Sequence, residues 1–120
     1  GSKMFLSPRI YKLWNQELSS AEGRTKAFYF YHPFVKKDST IYYLPENYTI
    51  ENLPKARDIS FAYGVFKTKY LYDEKTNTVT STAVLQLSQN IIPADKFAEA
   101  CKFFDNVSNE YSEKIVINSK

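Results

Sequence analysis

Between residues 40 and 88, apolar and polar residues alternate in short blocks separated by turn-forming residues, and a period of two is the pattern of a half-buried strand. The blocks Ile41-Tyr42-Tyr43-Leu44, Tyr48-Thr49-Ile50, Ile59-Ser60-Phe61, residues 66–72 and residues 79–87 predict five strands. Lys36-Lys37-Asp38-Ser39 predicts a turn into the first, and Pro45-Glu46-Asn47 a second turn of hairpin length into the next. Pro54-Lys55-Ala56 closes that strand, and Tyr63-Gly64 sits where glycine admits positive φ in a tight turn or bulge. Asp73-Glu74-Lys75-Thr76-Asn77 has strong turn character between two long alternating runs and predicts a hairpin.

Parity within the last two runs predicts a sheet with one buried and one wet face. Val79, Ala83, Leu85 and Leu87 share a side with Ser81, opposite Thr78, Thr80, Thr82 and Gln86 with Val84. Phe66, Tyr70 and Tyr72 likewise oppose Lys67 and Lys69. Upstream, residues 3–7 predict a short strand, and a second runs through Tyr11, Leu13 and Trp14. A polar connection, Ser19-Ser20-Ala21-Glu22-Gly23, leads to an aromatic run over residues 25–34 that predicts a long strand, with Pro33 confined to a sheet edge or bulge.

From Pro93 the period changes to three and four. Phe97, Ala100, Cys101, Phe104, Val107 and Tyr111 predict an amphipathic helix over about residues 93–109, with Pro93 at its first position and Asp95 beside the positive end of its dipole. Ile115-Val116-Ile117 predicts a closing strand within about residues 113–118. The fold class expected is mainly β (α+β): an antiparallel β sandwich with one C-terminal amphipathic helix. Residues 3–120 form one domain, and Gly1-Ser2 reads as a tag-cleavage scar.

Composition adds exclusions. The 120 residues are 43% hydrophobic and 24% charged, so the chain carries enough apolar surface for a folded core. Ten Tyr and nine Phe supply most of a 17% aromatic share, which suits pleated surfaces. Sixteen Lys and Arg against thirteen Asp and Glu leave +3, too small and too evenly spread to require nucleic acid as a partner. The single cysteine excludes an internal disulfide and does not distinguish cytosol from periplasm. No apolar run is long enough for a membrane-spanning helix, so direct membrane insertion is not expected.

Candidate chemistry is sparse. His32 is the only histidine and lacks the companions of a zinc site. Cys101 and His32 could pair as nucleophile and base, but Cys101 falls on the apolar helix stripe, where a thiol acts as a small hydrophobe. Asp73, Glu74, Glu110 and Glu113 read as solvated carboxylates in turns or on the polar helix flank. Tyr29, Tyr31, Tyr42, Tyr43, Tyr70 and Tyr72 could form a stacking platform rimmed by Lys67 and Lys69, although cross-strand packing explains them more simply. Asn47-Tyr48-Thr49 and Asn106-Val107-Ser108 match the glycosylation acceptor pattern, which carries meaning only in a eukaryotic secretory setting. The residues thus predict no catalytic, cofactor-binding or metal site and no cofactor.

The series Ile41-Tyr42-Tyr43-Leu44-Pro45-Glu46-Asn47-Tyr48, Glu51-Asn52-Leu53-Pro54 and Ile59-Ser60-Phe61-Ala62-Tyr63-Gly64 resembles the C-terminal domain of unknown function that follows the transglutaminase-like core in exported proteins of Bacteroides-type bacteria. Ile92-Pro93, Phe97, Phe103-Phe104 and Lys114-Ile115-Val116-Ile117 extend the resemblance, which covers about residues 24–117. It implies a noncatalytic accessory β domain of a transglutaminase-like, cysteine protease-like protein whose Cys, His and Asp lie upstream. It also implies a periplasmic, secreted or lipid-anchored location and the upstream core as partner. The alternative is an independent module holding glycan or peptide through exposed tyrosines or a free sheet edge.

Overall fold

The computed structural model describes residues 1–19 and 21–120, and the predicted polar connection includes Ser20, which lies outside the described residues. Among the described residues nine strands and one α-helix, the helix preceded by a 3-10 turn over Ala94–Lys96, follow in chain order: β1 (Lys3–Leu6), β2 (Phe28–Tyr29), β3 (Phe34–Tyr43), β4 (Tyr48–Asn52), β5 (Asp58–Phe61), β6 (Gly64–Asp73), β7 (Thr78–Leu87), β8 (Ile91–Ile92), α1 (Phe97–Glu110) and β9 (Ile115–Ser119). They form a four-stranded sheet ordered β3-β7-β6-β5, a three-stranded sheet ordered β1-β9-β4 and the ribbon β2-β8, with every pairing antiparallel. The protein is a mainly β, sandwich-like domain with one C-terminal helix, as the pattern predicts.

Parity assigns the faces of the large sheet. Its inner face carries Phe34, Leu87, Gly64 and Phe61 in one row, Lys36, Leu85, Phe66 and Ile59 in the next, and Tyr42, Val79 and Tyr72 at the far end. The helix covers the first rows: Phe97, Ala100, Phe103, Phe104 and Val107 pack with Phe66, Leu85 and Leu87 into one core. The small sheet covers the other end, where Ile115 and Ile117 meet Tyr70 and Val79 in a second core. Laid end to end under ten-residue strands, the two cores produce a rod of 57 × 22 × 19 Å.

Several expectations fail for identifiable reasons. Tyr11, Leu13 and Trp14 do not form a strand; Trp14 is instead buried, stacked on Phe34 at 6.0 Å and against Phe104 at 4.4 Å between centroids. The aromatic run shrinks to a two-residue strand because its partner is only Ile91–Ile92, bounded by Asn90 and Pro93. Its alternation still sorts the side chains: Phe28 and Phe30 pack on the first core while Tyr29 and Tyr31 face solvent.

Lys36-Lys37-Asp38-Ser39 is not a turn but the middle of β3. Polar residues survive there because β3 is an edge strand. Lys36 lays its stem inward, with its ammonium 5.4 Å from the Trp14 ring and 5.3 Å from Phe34, while Asp38 accepts the Thr40 hydroxyl at 2.7 Å. β3 and β4 do not form a hairpin either. The Pro45-Glu46-Asn47 link carries the chain from one sheet to the other, since β3 pairs with β7 and β4 with β9.

Asn77 fixes that crossing. It sits at φ 52° in the β6–β7 turn, its side-chain amide donates to the carbonyls of Pro45 and Tyr48 at 3.1 Å each, and its Oδ1 accepts the Tyr72 hydroxyl at 2.6 Å. Short polar side chains tolerate this left-handed backbone best after glycine.

Gly64 is required for space, not for positive φ, which among the glycines only Gly23 adopts. A Cβ on Gly64 would lie 2.5 Å from the Phe61 ring and 3.2 Å from Phe103. Gly64→Ala therefore forces two core rings apart, and a loss of about 1–3 kcal/mol in chemical denaturation is expected. An unchanged midpoint would show that the rings reseat freely.

Candidate functional site

Between the two cores the inner face turns polar: Asp38, Ala83 and Thr68 form one row and Thr40, Ser81 and Tyr70 the next. Into this belt points Glu110, the last residue of α1, which is fully buried and not the solvated flank carboxylate the helix pattern suggests. Arg9 Nη2 donates to Glu110 Oε1 at 2.7 Å and to Oε2 at 2.9 Å, and the Tyr70 hydroxyl donates to Oε1 at 3.1 Å. A carboxylate at a helix C-terminus meets the negative end of the dipole, and α1 has no basic residue in its last turn, so Arg9 supplies the missing cation from the other end of the chain. Sequence patterning overlooked this pair because its partners lie 101 positions apart. The only available signal was a carboxylate at position 110 continuing the i, i+3 series of Phe103, Phe104 and Val107.

The other candidates are dispersed. His32 is exposed, with Nδ1 2.8 Å from the Pro33 carbonyl. Cys101 is half-buried at the core margin, and its thiol donates to the Ser19 carbonyl at 3.4 Å. Burial, and then the Asp105 charge, push that thiol above its ordinary pKa, away from the thiolate a nucleophile needs. No hydrogen bond joins Cys101 to His32 among the described residues. Asp73 and Glu74 are exposed, Asp73 accepting the Lys75 backbone N–H at 2.9 Å. Glu113, half-buried, ion-pairs with Arg57.

The tyrosines do not form one platform. Tyr42, Tyr70 and Tyr72 face inward and use their hydroxyls on Ser7, Glu110 and Asn77, whereas Tyr43 faces out and Tyr29 and Tyr31 stand exposed near the β2–β8 ribbon. Asn47 is exposed in the crossing and Asn106 half-buried on α1. Among the described residues no three His, Cys, Asp or Glu side chains gather to hold a metal, and no helix is long and apolar enough to cross a membrane.

Neither α1 nor the small sheet covers the outer face of the large sheet. Its rows read Val35, Gln86, Val65, Ser60; Lys37, Val84, Lys67, Asp58; Ser39, Thr82, Lys69; and Ile41, Thr80, Leu71, with Tyr43 at the end. Val35, Ile41, Tyr43 and Leu71 are 49–78% exposed. A depression of about 400 Å³ opens among Arg57, Lys67, Lys69, Thr82 and Val84. Lys37, Lys67 and Lys69 have no ion-pair partner among the described residues, so the centre of this largely polar face carries three unpaired ammonium groups.

The chain is thus a mainly β domain with one uncovered sheet face and a buried ion pair between its two cores. Residues 2–117 match the family model described as "Domain of Unknown Function with solved-structure structure" (DUF3858), and the chain belongs to that family. A crystal structure described as that of a "putative protease" from Parabacteroides distasonis ATCC 8503 shares the fold, with a TM-score of 0.64 over 81% of this chain at 10% sequence identity. This chain spans 19% of that one. No curated protein matches the sequence.

The belt makes two quantitative statements. Arg9→Met or Glu110→Met alone leaves a buried charge uncompensated and should cost about 3–5 kcal/mol, whereas the double variant should lose far less than the sum. Additive losses in urea melts would assign the effect to packing. Burial, and then the Glu110 charge, hold the Tyr70 phenol above its ordinary pKa. Unfolded, it ionises near about pH 10, while the folded protein keeps the proton, so stability is fully present below that pH and falls as pH rises beyond it. Tyr42 and Cys101, also raised, add their own declines, so the measurement is a difference. Tyr70→Phe should flatten the wild-type curve above about pH 10, and parallel curves would contradict the assignment.

Proposed function

We propose that this chain is a noncatalytic accessory domain of a longer, protease-like polypeptide, docking on the rest of that polypeptide through the outer face of its four-stranded sheet. The observation that carries the reading is the uncovered face itself: large apolar side chains on a rigid sheet, with an unpaired lysine cluster at its centre, are what a protein surface keeps for a partner. Two further facts support it. The fold recurs as a minor part of a longer chain in the Parabacteroides structure. The Cys101 thiol is held toward its protonated form, and its own contact is with Ser19.

The resemblance to domains that follow a transglutaminase-like core names the partner more closely: a cysteine-dependent catalytic unit in the same exported polypeptide. In this reading the domain braces that unit or positions its substrate, and the chemistry belongs to residues outside the present sequence. Lys37, Lys67 and Lys69 would meet carboxylates of the catalytic unit, with Val65, Val84 and Leu71 supplying apolar contact.

The test uses the longer polypeptide and a version carrying Lys69→Glu with Leu71→Ser, both positions exposed on β6. Expected is a change within about 0.5 kcal/mol in the isolated domain but earlier proteolytic release of the domain from the longer chain. Equal protease resistance of the two long forms would overturn docking through this face. Loss of proteolytic activity on Cys101→Ala would overturn the noncatalytic assignment.

A further inference from the structure

The outward edge of β3 is unlike the other edges of the molecule. β1 and β5 are four residues long and β4 carries a register irregularity between Ile50 and Asn52, whereas β3 runs ten residues in unbroken register with β7 and contains neither proline nor bulge. The Leu44 N–H donates to the Asn77 carbonyl at 2.9 Å, which continues the same register and fixes its alternation. Phe34, Lys36, Asp38, Thr40 and Tyr42 therefore bond to β7, and the N–H and C=O groups of Val35, Lys37, Ser39, Ile41 and Tyr43 point away from the sheet. No hydrogen bond of the chain reaches those groups among the described residues. Soluble proteins guard such edges with lysine, yet Lys36 is folded inward over Trp14, which leaves Lys37 alone.

The sequence along this edge is self-complementary. With two copies antiparallel and Ser39 opposite itself, residues 35–43 are paired: Val35 faces Tyr43 of the second copy, Lys37 faces Ile41, and Asp38 faces Thr40. A β-branched residue against an aromatic is a favourable cross-strand pair. Centring the contact on Lys37 would oppose two ammonium groups, and centring it on Asp38 two carboxylates. The register that pairs all five outward residues is thus also one that sets no like charges directly opposite each other.

We propose that β3 is a self-pairing edge through which two copies of this chain join their large sheets into one continuous eight-stranded sheet about a two-fold axis at Ser39. The five outward residues of each copy then form five hydrogen-bonded pairs, exchanging about ten hydrogen bonds. Pairing at this edge is independent of what docks on the outer face.

Sedimentation equilibrium of the 120-residue chain across the micromolar to submillimolar range tests it. A mass rising toward twice 14.0 kDa is expected. Ser39→Pro removes an N–H that points away from β7, so it should give a monomer with unchanged circular dichroism and melting. Should that variant misfold, the exposed Ile41 offers a second handle. Ile41→Glu places a carboxylate against Lys37 of the second copy and should tighten the dimer, while Ile41→Lys opposes two ammonium groups and should weaken it, each by about five- to tenfold. Equal weakening by both would overturn the register and with it the proposal. So would a monomer at every concentration, which would leave the edge to an extended segment of another protein.

Discussion

The structure depends on one charge pair being closed out of water. The large sheet is too long for a single covering layer, so a helix covers one end and a small sheet the other. Where the two covers meet, the chain must pass from α1 into β9, and the end of a helix leaves carbonyls and a negative dipole that an apolar core cannot accommodate. Glu110 adds a full negative charge at that point, and Arg9 with Tyr70 neutralises and hydrogen-bonds it. The pair holds the N-terminal segment across the seam and lets Trp14, a few residues on, reach the helix-side core. Its role is to join two hydrophobic clusters without opening a path for water between them.

Most of the secondary structure was legible because burial on the large sheet is one-sided and strictly alternating. Val79, Ser81, Ala83, Leu85 and Leu87 are all buried, and the Asp73-to-Asn77 turn falls between β6 and β7 as its residues indicate. The failures have separate causes. The expected hairpin of β3 with β4 assumed that neighbours in sequence are partners in space, whereas β3 pairs with β7 and β4 with β9. An edge strand can carry Lys36-Lys37-Asp38-Ser39 without looking like a strand, and a core tryptophan can sit in irregular chain. The buried ion pair was hidden because a carboxylate at the end of an amphipathic helix looks solvated until something distant covers it.

The family match covers the whole domain, and exposure distinguishes the two faces of its large sheet. Residues 59, 61, 64 and 66 are tied to the helix-side core, so one face of the large sheet is committed to internal packing. The opposite face keeps Val35, Ile41, Tyr43 and Leu71 in the open at no evident gain to the isolated fold.

The pairing of β1 with β9 bears on the order of folding. Lys3 lies opposite Asn118 and Leu6 opposite Ile115, so the small sheet joins the two ends of the sequence and also holds β4. During synthesis the β6–β7 hairpin can form as soon as it emerges, because its contacts are local. The small sheet must wait until β9 has emerged. Until then Leu6, Ile50 and the far end of the large sheet remain uncovered, and the nascent chain displays a half-finished hydrophobic end to whatever surrounds it.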